Sequence, residues 1–146
     1  IQRIIHNILT SFTPEITDPA KEDGLSNQDR LLSWASQTFD FLFENQAIAK
    51  ISILNDMQSY STGSNSVYTQ KGFALAIKSS QSEAAKKLLV FILVSSLQTA
   101  FLAKDAAKEL LGYDLYHKTE RDLFIRDTVT LLFRGMDRRE DYTDEI

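Results

Sequence analysis

Few residues in this chain could carry chemistry. The two histidines, His6 and His117, stand near opposite ends, and neither has a second histidine at ligand spacing. His117 and Glu120 would share a helix face, but their stretch reads as a turn followed by a helix start. A metal needs a third and fourth ligand that the sequence does not name, so no metal site is assigned. Two carboxylate pairs, Asp40 with Glu44 and Asp105 with Glu109, have the four-residue spacing of helix neighbours. An acid–base pair needs burial or a nearby charge to drive its two pKa values apart. Asp105 and Glu109 instead alternate with Lys104 and Lys108, the pattern of a solvated face, and Asp40 and Glu44 lie off the apolar stripe of their segment. Both pairs are therefore expected to be exposed. There is no Cys, which excludes a cysteine nucleophile, a thiolate zinc site and a disulfide scaffold, and fits a reducing, cytoplasmic setting. Gly63 and Gly72 are too far apart for a phosphate cradle, and Gly63-Ser64-Asn65-Ser66-Val67 lacks the second glycine of a nucleophile elbow. The sequence points to no enzyme activity and to no cofactor.

Aromatic residues are the richer signal. Trp34, Phe39, Phe41, Phe43, Tyr60, Tyr68, Phe73, Phe91 and Phe101 are many for one helical domain. Each can be read as core packing. Some can also be read as lining an apolar cavity between helices, where bundles hold small molecules. Polar residues beside them, Gln37, Asn55, Gln58, Ser95, Gln98 and Thr99, would then orient a ligand. The candidate ligand-binding set is Trp34, Phe39, Phe43, Met57, Tyr60, Phe73, Phe91, Ser95 and Gln98, and the effector a small apolar or amphipathic molecule. Ser95, Ser96, Gln98 and Thr99 interrupt the most apolar stretch, and polar side chains there need partners.

The elements that would position these residues are helices. Ile1, Ile4, Ile5, Ile8, Leu9 and Phe12 fall on one helical face, and Pro14 ends that segment. Residues 13–26 form a polar loop. Ser26 with Asp29 makes a capping box for a second helix, whose stripe is Leu31, Leu32, Ala35, Phe39, Leu42 and Phe43, flanked by Trp34, Thr38 and Phe41. Glu44-Asn45 breaks it. A third helix, from about Gln46 to Tyr60, would turn Ala47, Ile48, Ile51, Leu54 and Met57 or Gln58 inward. After the loop 61–66, a fourth helix spans about 67–80, with Val67, Phe73, Ala76 and Ile77 on its face. Ser82 caps a long fifth helix over 83–111, ended by Gly112 in the left-handed position. Thr119 with Asp122 makes a second capping box for a last helix that stops at Gly135. No strand-like alternation and no internal repeat is visible. The fold class is all-α, about six helices in an orthogonal or antiparallel bundle.

Composition agrees. The chain has 146 residues, 43% hydrophobic and 25% charged, the balance of one globular domain. Gly and Pro number only 5 and 2, which favours long elements. The net charge of −4 makes the chain as a whole a poor partner for polyphosphate. The run Leu88–Val94, even extended to Ala103, contains Ser95, Ser96, Gln98 and Thr99 and reads as a buried helix rather than a membrane span. The chain begins with Ile, not Met, as a fragment or processed product would.

Three segments in this order carry a family resemblance. Arg30 to Ile51 (RLLSWASQTFDFLFENQAIAKI) is a helix, a short polar break and a second helix. Ala84 to Leu102 is a long apolar penultimate helix. Leu123 to Gly135 (LFIRDTVTLLFRG) is a terminal helix ending in a basic residue and Gly. Together they resemble the C-terminal regulatory domain of TetR-family transcriptional repressors over roughly residues 28–136. The resemblance implies a single ligand-binding and dimerisation domain over 1–136, with 1–12 as the connecting helix and 137–146 as a charged tail. Nothing in the chain looks like the family's helix-turn-helix, so DNA would be contacted only through a part not in this chain. The resemblance implies a homodimer formed by the last two helices, with Leu93, Leu97, Phe101, Phe124, Thr128 and Leu131 at the interface. The competing readings are a helical protein-interaction module without a small ligand and, least supported, a helical enzyme.

Overall fold

The structure, a computed structural model, describes residues 26–77 and 82–143. The segment Ile1–Phe12, His6, the loop before Ser26, residues 78–80 of the expected fourth helix and the last residues of the charged tail lie outside the described residues. Among the described residues there are six helices and no strand: α1 (Asn27–Glu44), α2 (Gln46–Gln58), α3 (Asn65–Ala76), α4 (Glu83–Leu102), α5 (Ala107–Leu111) and α6 (Lys118–Thr143). The all-α bundle expected from the apolar spacing is what forms.

Local signals set several of the helix ends. The Ser26 hydroxyl accepts the Asp29 backbone N–H, and the Ser82 hydroxyl accepts that of Ala85, each satisfying a donor that a helix start leaves open. Gly112 adopts φ 82° after α5, a conformation that costs a residue with a Cβ about 1–2 kcal/mol. Three expectations fail. The long helix over 83–111 breaks after Leu102, where Lys104, Ala106 and Ala107 donate to carbonyls three residues back. The turn lets Ala107 and Leu115 reach the core, both fully buried. The last helix does not stop at Gly135 but continues to Thr143; an interior glycine costs a helix only about 1 kcal/mol, and the residues that follow are good helix formers. Thr119 is not its cap: the His117 carbonyl accepts the first helical bonds, and Glu120 Oε1 takes the Asp114 N–H.

Helix α1 packs mainly on α6 and also meets α2, α3 and α4, while α4 packs on α3 and α6. The core draws Leu31, Trp34, Ala35 and Phe39 from α1, Phe73 from α3, Leu89, Val90, Leu93, Val94, Leu97, Ala100 and Phe101 from α4, and Phe124, Ile125 and Val129 from α6. Aromatic rings link the layers edge to face: Phe43 meets Phe39 at 5.2 Å and Phe101 at 5.4 Å, and Trp34 meets Phe73 at 5.6 Å. These are preferred ring geometries. By length and composition α4 would suffice to cross a membrane; here one side of it packs on α1, α3 and α6, while Leu88, Phe91 and Ile92 stay exposed.

The α1–α6 contact is fastened by charge. Asp40, expected to be exposed, accepts Lys118 Nζ at 2.6 Å and Arg121 Nε at 3.2 Å. Arg121 also donates to the Leu115 and Tyr116 carbonyls and lies 4.7 Å over the Phe43 ring. Hydrogen bonding to Asp40 pushes the Lys118 pKa above that of a free lysine, against the opposing effect of burial.

Candidate functional site

The α2–α3 corner departs most from its sequence pattern. The face of α2 that turns inward is Ala49, Ser52, Ile53 and Asp56. The more apolar face, with Ile48, Ile51, Leu54 and Met57, is exposed, the reverse of the expectation. The physical reason lies in α3. Its cap residue Ser64 makes no side-chain bond to the helix start. Asp56 caps α3 from outside instead: Oδ2 accepts the Ser66 backbone N–H at 2.8 Å and the Ser66 hydroxyl. A carboxylate at a helix N-terminus meets both open donors and the positive end of the helix dipole. Rotating α2 to bury its apolar row would lose these bonds.

The network extends from there. Gln98 of α4 donates through Nε2 to the Ser66 hydroxyl at 2.6 Å, and Asn65 Nδ2 donates to the Ser52 hydroxyl at 3.1 Å. Asp56 and Ser66 are each only 2% exposed. These groups stand beside a cavity of about 60 Å³ whose other walls include Phe41, Leu42, Ile48, Ile53, Phe73, Val94 and Leu97. Ile48 on its lining is exposed and Phe41, Leu42, Thr69 and Gln98 are half-buried, so the space is not sealed. Asp56 Oδ1 is buried and has no hydrogen-bond partner among the described residues. The arrangement can hold a small molecule by an apolar wall on one side and acceptors on the other.

Of the residues expected to bind a ligand, Phe73 and Gln98 line this cavity. Trp34 and Phe39 are buried in the core, and Phe43 packs against it. Met57 and Tyr60 are about half exposed, because α2 presents its other face. Phe91 is 49% exposed and borders a separate open groove of about 480 Å³ between α3 and α4, with Val67, Lys71 and Leu88. Ser95 is half-buried and is absent from both linings. The sequence pattern does not point to Asp56, Ser66, Asn65 or Ser52: the apolar spacing of α2 sets Ser52 and Asp56 outward, and Asn65 and Ser66 fall in the expected loop 61–66, where the structure instead starts α3.

The expected interface residues are also corrected in part. Leu93, Leu97, Phe101 and Phe124 lie in the protomer's own core and offer no surface to a second copy. Thr128 is half-buried and bonds back to the Phe124 carbonyl. Leu131 is 69% exposed. The apolar surface left open on α4 is Leu88, Phe91 and Ile92.

Other polar clusters have structural explanations. Asp114, His117 and Glu120 come within metal-ligand reach of one another, supplying the third group that the sequence did not name. Glu120 accepts the Asp114 N–H and Asp114 accepts the Tyr116 N–H, so these carboxylates hold the turn that opens α6. Asp105 and Glu109 are exposed as expected, and Asp105 accepts the Tyr116 hydroxyl. Tyr113 donates to Asp127 at 2.6 Å; that bond, with burial and the charge of Asp127, raises the Tyr113 pKa above that of a free tyrosine. Compared with protein-family models, curated proteins and solved structures, the chain matches none.

Proposed function

We propose that this domain is the ligand-sensing part of a cytoplasmic transcriptional regulator built like the TetR family, with a small effector bound where α1, α2, α3 and α4 converge. The observation that carries the reading is the cavity at that junction, where an apolar wall faces a polar network contributed by three different helices. A molecule bound there touches Asp56, Ser66 and Gln98 at once, so it can bias how those helices sit. Regulation requires the effector to bind one arrangement more tightly than the other; equal affinity would shift nothing. The connecting helix expected over Ile1–Phe12 would carry the shift to DNA-reading heads in a homodimer. The surface for that dimer would come from Leu88, Phe91 and Ile92 on α4 and Leu131 on α6.

A thermal-shift screen of hydrophobic and cationic small molecules tests this. A compound that binds only the folded state raises the melting temperature, and Val94→Trp, which fills the cavity, abolishes the rise. A hit that stabilises Val94→Trp equally well would remove the reading. One observation favours a protein-interaction module instead: four large apolar side chains of α2, Ile48, Ile51, Leu54 and Met57, are left exposed, surface that a partner protein could cover.

A further inference from the structure

Resting on that reading of the cavity, we infer that its occupant is a small organic cation, a primary ammonium on a short alkyl chain, with Asp56 Oδ1 as the principal acceptor. The argument begins with charge. Asp56 is 2% exposed, and among the described residues no Lys, Arg or His forms an ion pair with it. A buried carboxylate without a counter-charge is costly. The N-terminus of α3 satisfies Oδ2, through two donors of Ser66. Oδ1 is left without a donor among the described residues.

The neighbouring side chains do not supply one. The Asn65 amide nitrogen donates to Ser52 and the Gln98 amide nitrogen to Ser66. Each amide keeps a second N–H and a carbonyl oxygen, but among the described residues no donor reaches Oδ1. The unpaired carboxylate would repel an anion, and the donors of Asn65 and Gln98 carry no charge to offset it. An ammonium supplies three donors and the missing positive charge.

Size fixes the class further. About 60 Å³ is well under the roughly 150 Å³ of a cavity that takes benzene, so a ring does not fit without moving α2. A headgroup with one or two carbons does, and the chain beyond it would run along Phe41, Leu42 and Ile48, which line the cavity and are only partly covered.

Ethylammonium chloride is the probe, with potassium chloride at equal ionic strength and ethanol, its neutral isostere, as controls. A ligand of three heavy atoms binds no tighter than about 1 mM. At roughly a hundredfold excess over Kd the amine raises the melting temperature by about 5 °C or more, and the two controls do not. In the unmutated protein the amine also moves the NMR resonances of the Ser66 backbone amide and the Gln98 side-chain amide, saturably. Asp56→Asn weakens binding about tenfold or more. The NMR titration needs no variant, so it stands if Asp56→Asn fails to fold. If ethanol binds as well as the amine and moves the same two resonances, the cavity is a ligand site but the cation assignment is wrong. If potassium chloride reproduces the effect, the assignment is also wrong. If neither organic probe moves those resonances, the cavity reading itself falls with it.

Discussion

Replacing Ser66 by Ala isolates the polar network from the helix cap. The backbone N–H of residue 66 would still donate to Asp56 Oδ2, so α3 keeps its capping carboxylate. Two bonds disappear: the hydroxyl's donation to Asp56 and its acceptance from Gln98 Nε2. A hydrogen bond to a charged group is worth about 1.5–3 kcal/mol, and a half-buried amide losing its partner adds about 0.5–1 kcal/mol. The expected loss is about 2–4 kcal/mol, large against the usual stability of about 5–15 kcal/mol for a domain. Urea unfolding followed by circular dichroism measures it, with an unchanged m-value showing that the end states are the same. Gln98→Met completes a double-mutant cycle, with an expected coupling of about 1 kcal/mol. A loss below about 0.5 kcal/mol with no coupling would mean that Ser66 is solvated in solution, and the chain of bonds from α2 through α3 to α4 would have to be abandoned.

Other perturbations probe the bundle. Gly112→Ala destabilises by about 1–2 kcal/mol because of its positive φ, whereas Gly135→Ala stabilises by about 0.5–1 kcal/mol, since an added Cβ meets nothing within 4 Å; thermal melts of the pair decide whether the last helix passes through Gly135. Arg121→Ala costs about 2–3 kcal/mol through the lost bonds to Asp40, Leu115 and Tyr116, while Lys118→Ala, at an exposed end of the same cluster, costs under about 1 kcal/mol; equal losses in urea titrations would refute the distinction. Tyr113 and Lys118 have pKa values raised on folding, so the folded chain holds these protons longer than the unfolded one. Their stabilisation is present below about pH 10 and is lost as pH rises through the folded values; ultraviolet titration of Tyr113→Phe against the parent shows the loss of one phenolate step above the ordinary tyrosine range, and loss of a step at the ordinary value instead would exclude the Asp127 bond. Phe124→Glu abolishes cooperative unfolding, whereas Leu131→Glu changes stability by no more than about 0.5 kcal/mol, because one is 8% exposed and the other 69%.

Burial also changes what an interface mutation would mean. Leu97 and Phe124 sit in the core of one protomer, so a charge placed on either would unfold the chain rather than separate a dimer. Phe91, half exposed on α4, is the position where a charged substitution can report on self-association by light scattering without breaking the fold.

The sequence by itself determined the helical class, the break at Glu44-Asn45, the caps at Ser26 and Ser82, and the left-handed stop at Gly112. Each of these is decided within a few residues, by backbone bonds, a capping hydroxyl or the absence of a Cβ. Of the nine residues it offered for a ligand, only Phe73 and Gln98 line the cavity beside Asp56. The orientation of α2 was decided only by the tertiary structure. Its larger apolar side chains, Ile48, Ile51, Leu54 and Met57, would favour the core yet are exposed: α3 begins with open N–H groups and no side-chain cap of its own, and Asp56 is the carboxylate that meets them. That demand arises between elements, so the spacing within α2 could not announce it. The turn after Leu102 has the same origin: nothing in Ala103-Lys104-Asp105-Ala106 forbids a helix, and the chain bends there because Ala107 and Leu115 are buried only if it does. Local chemistry chose the helices, while the pairing of donors and acceptors across them chose which faces meet.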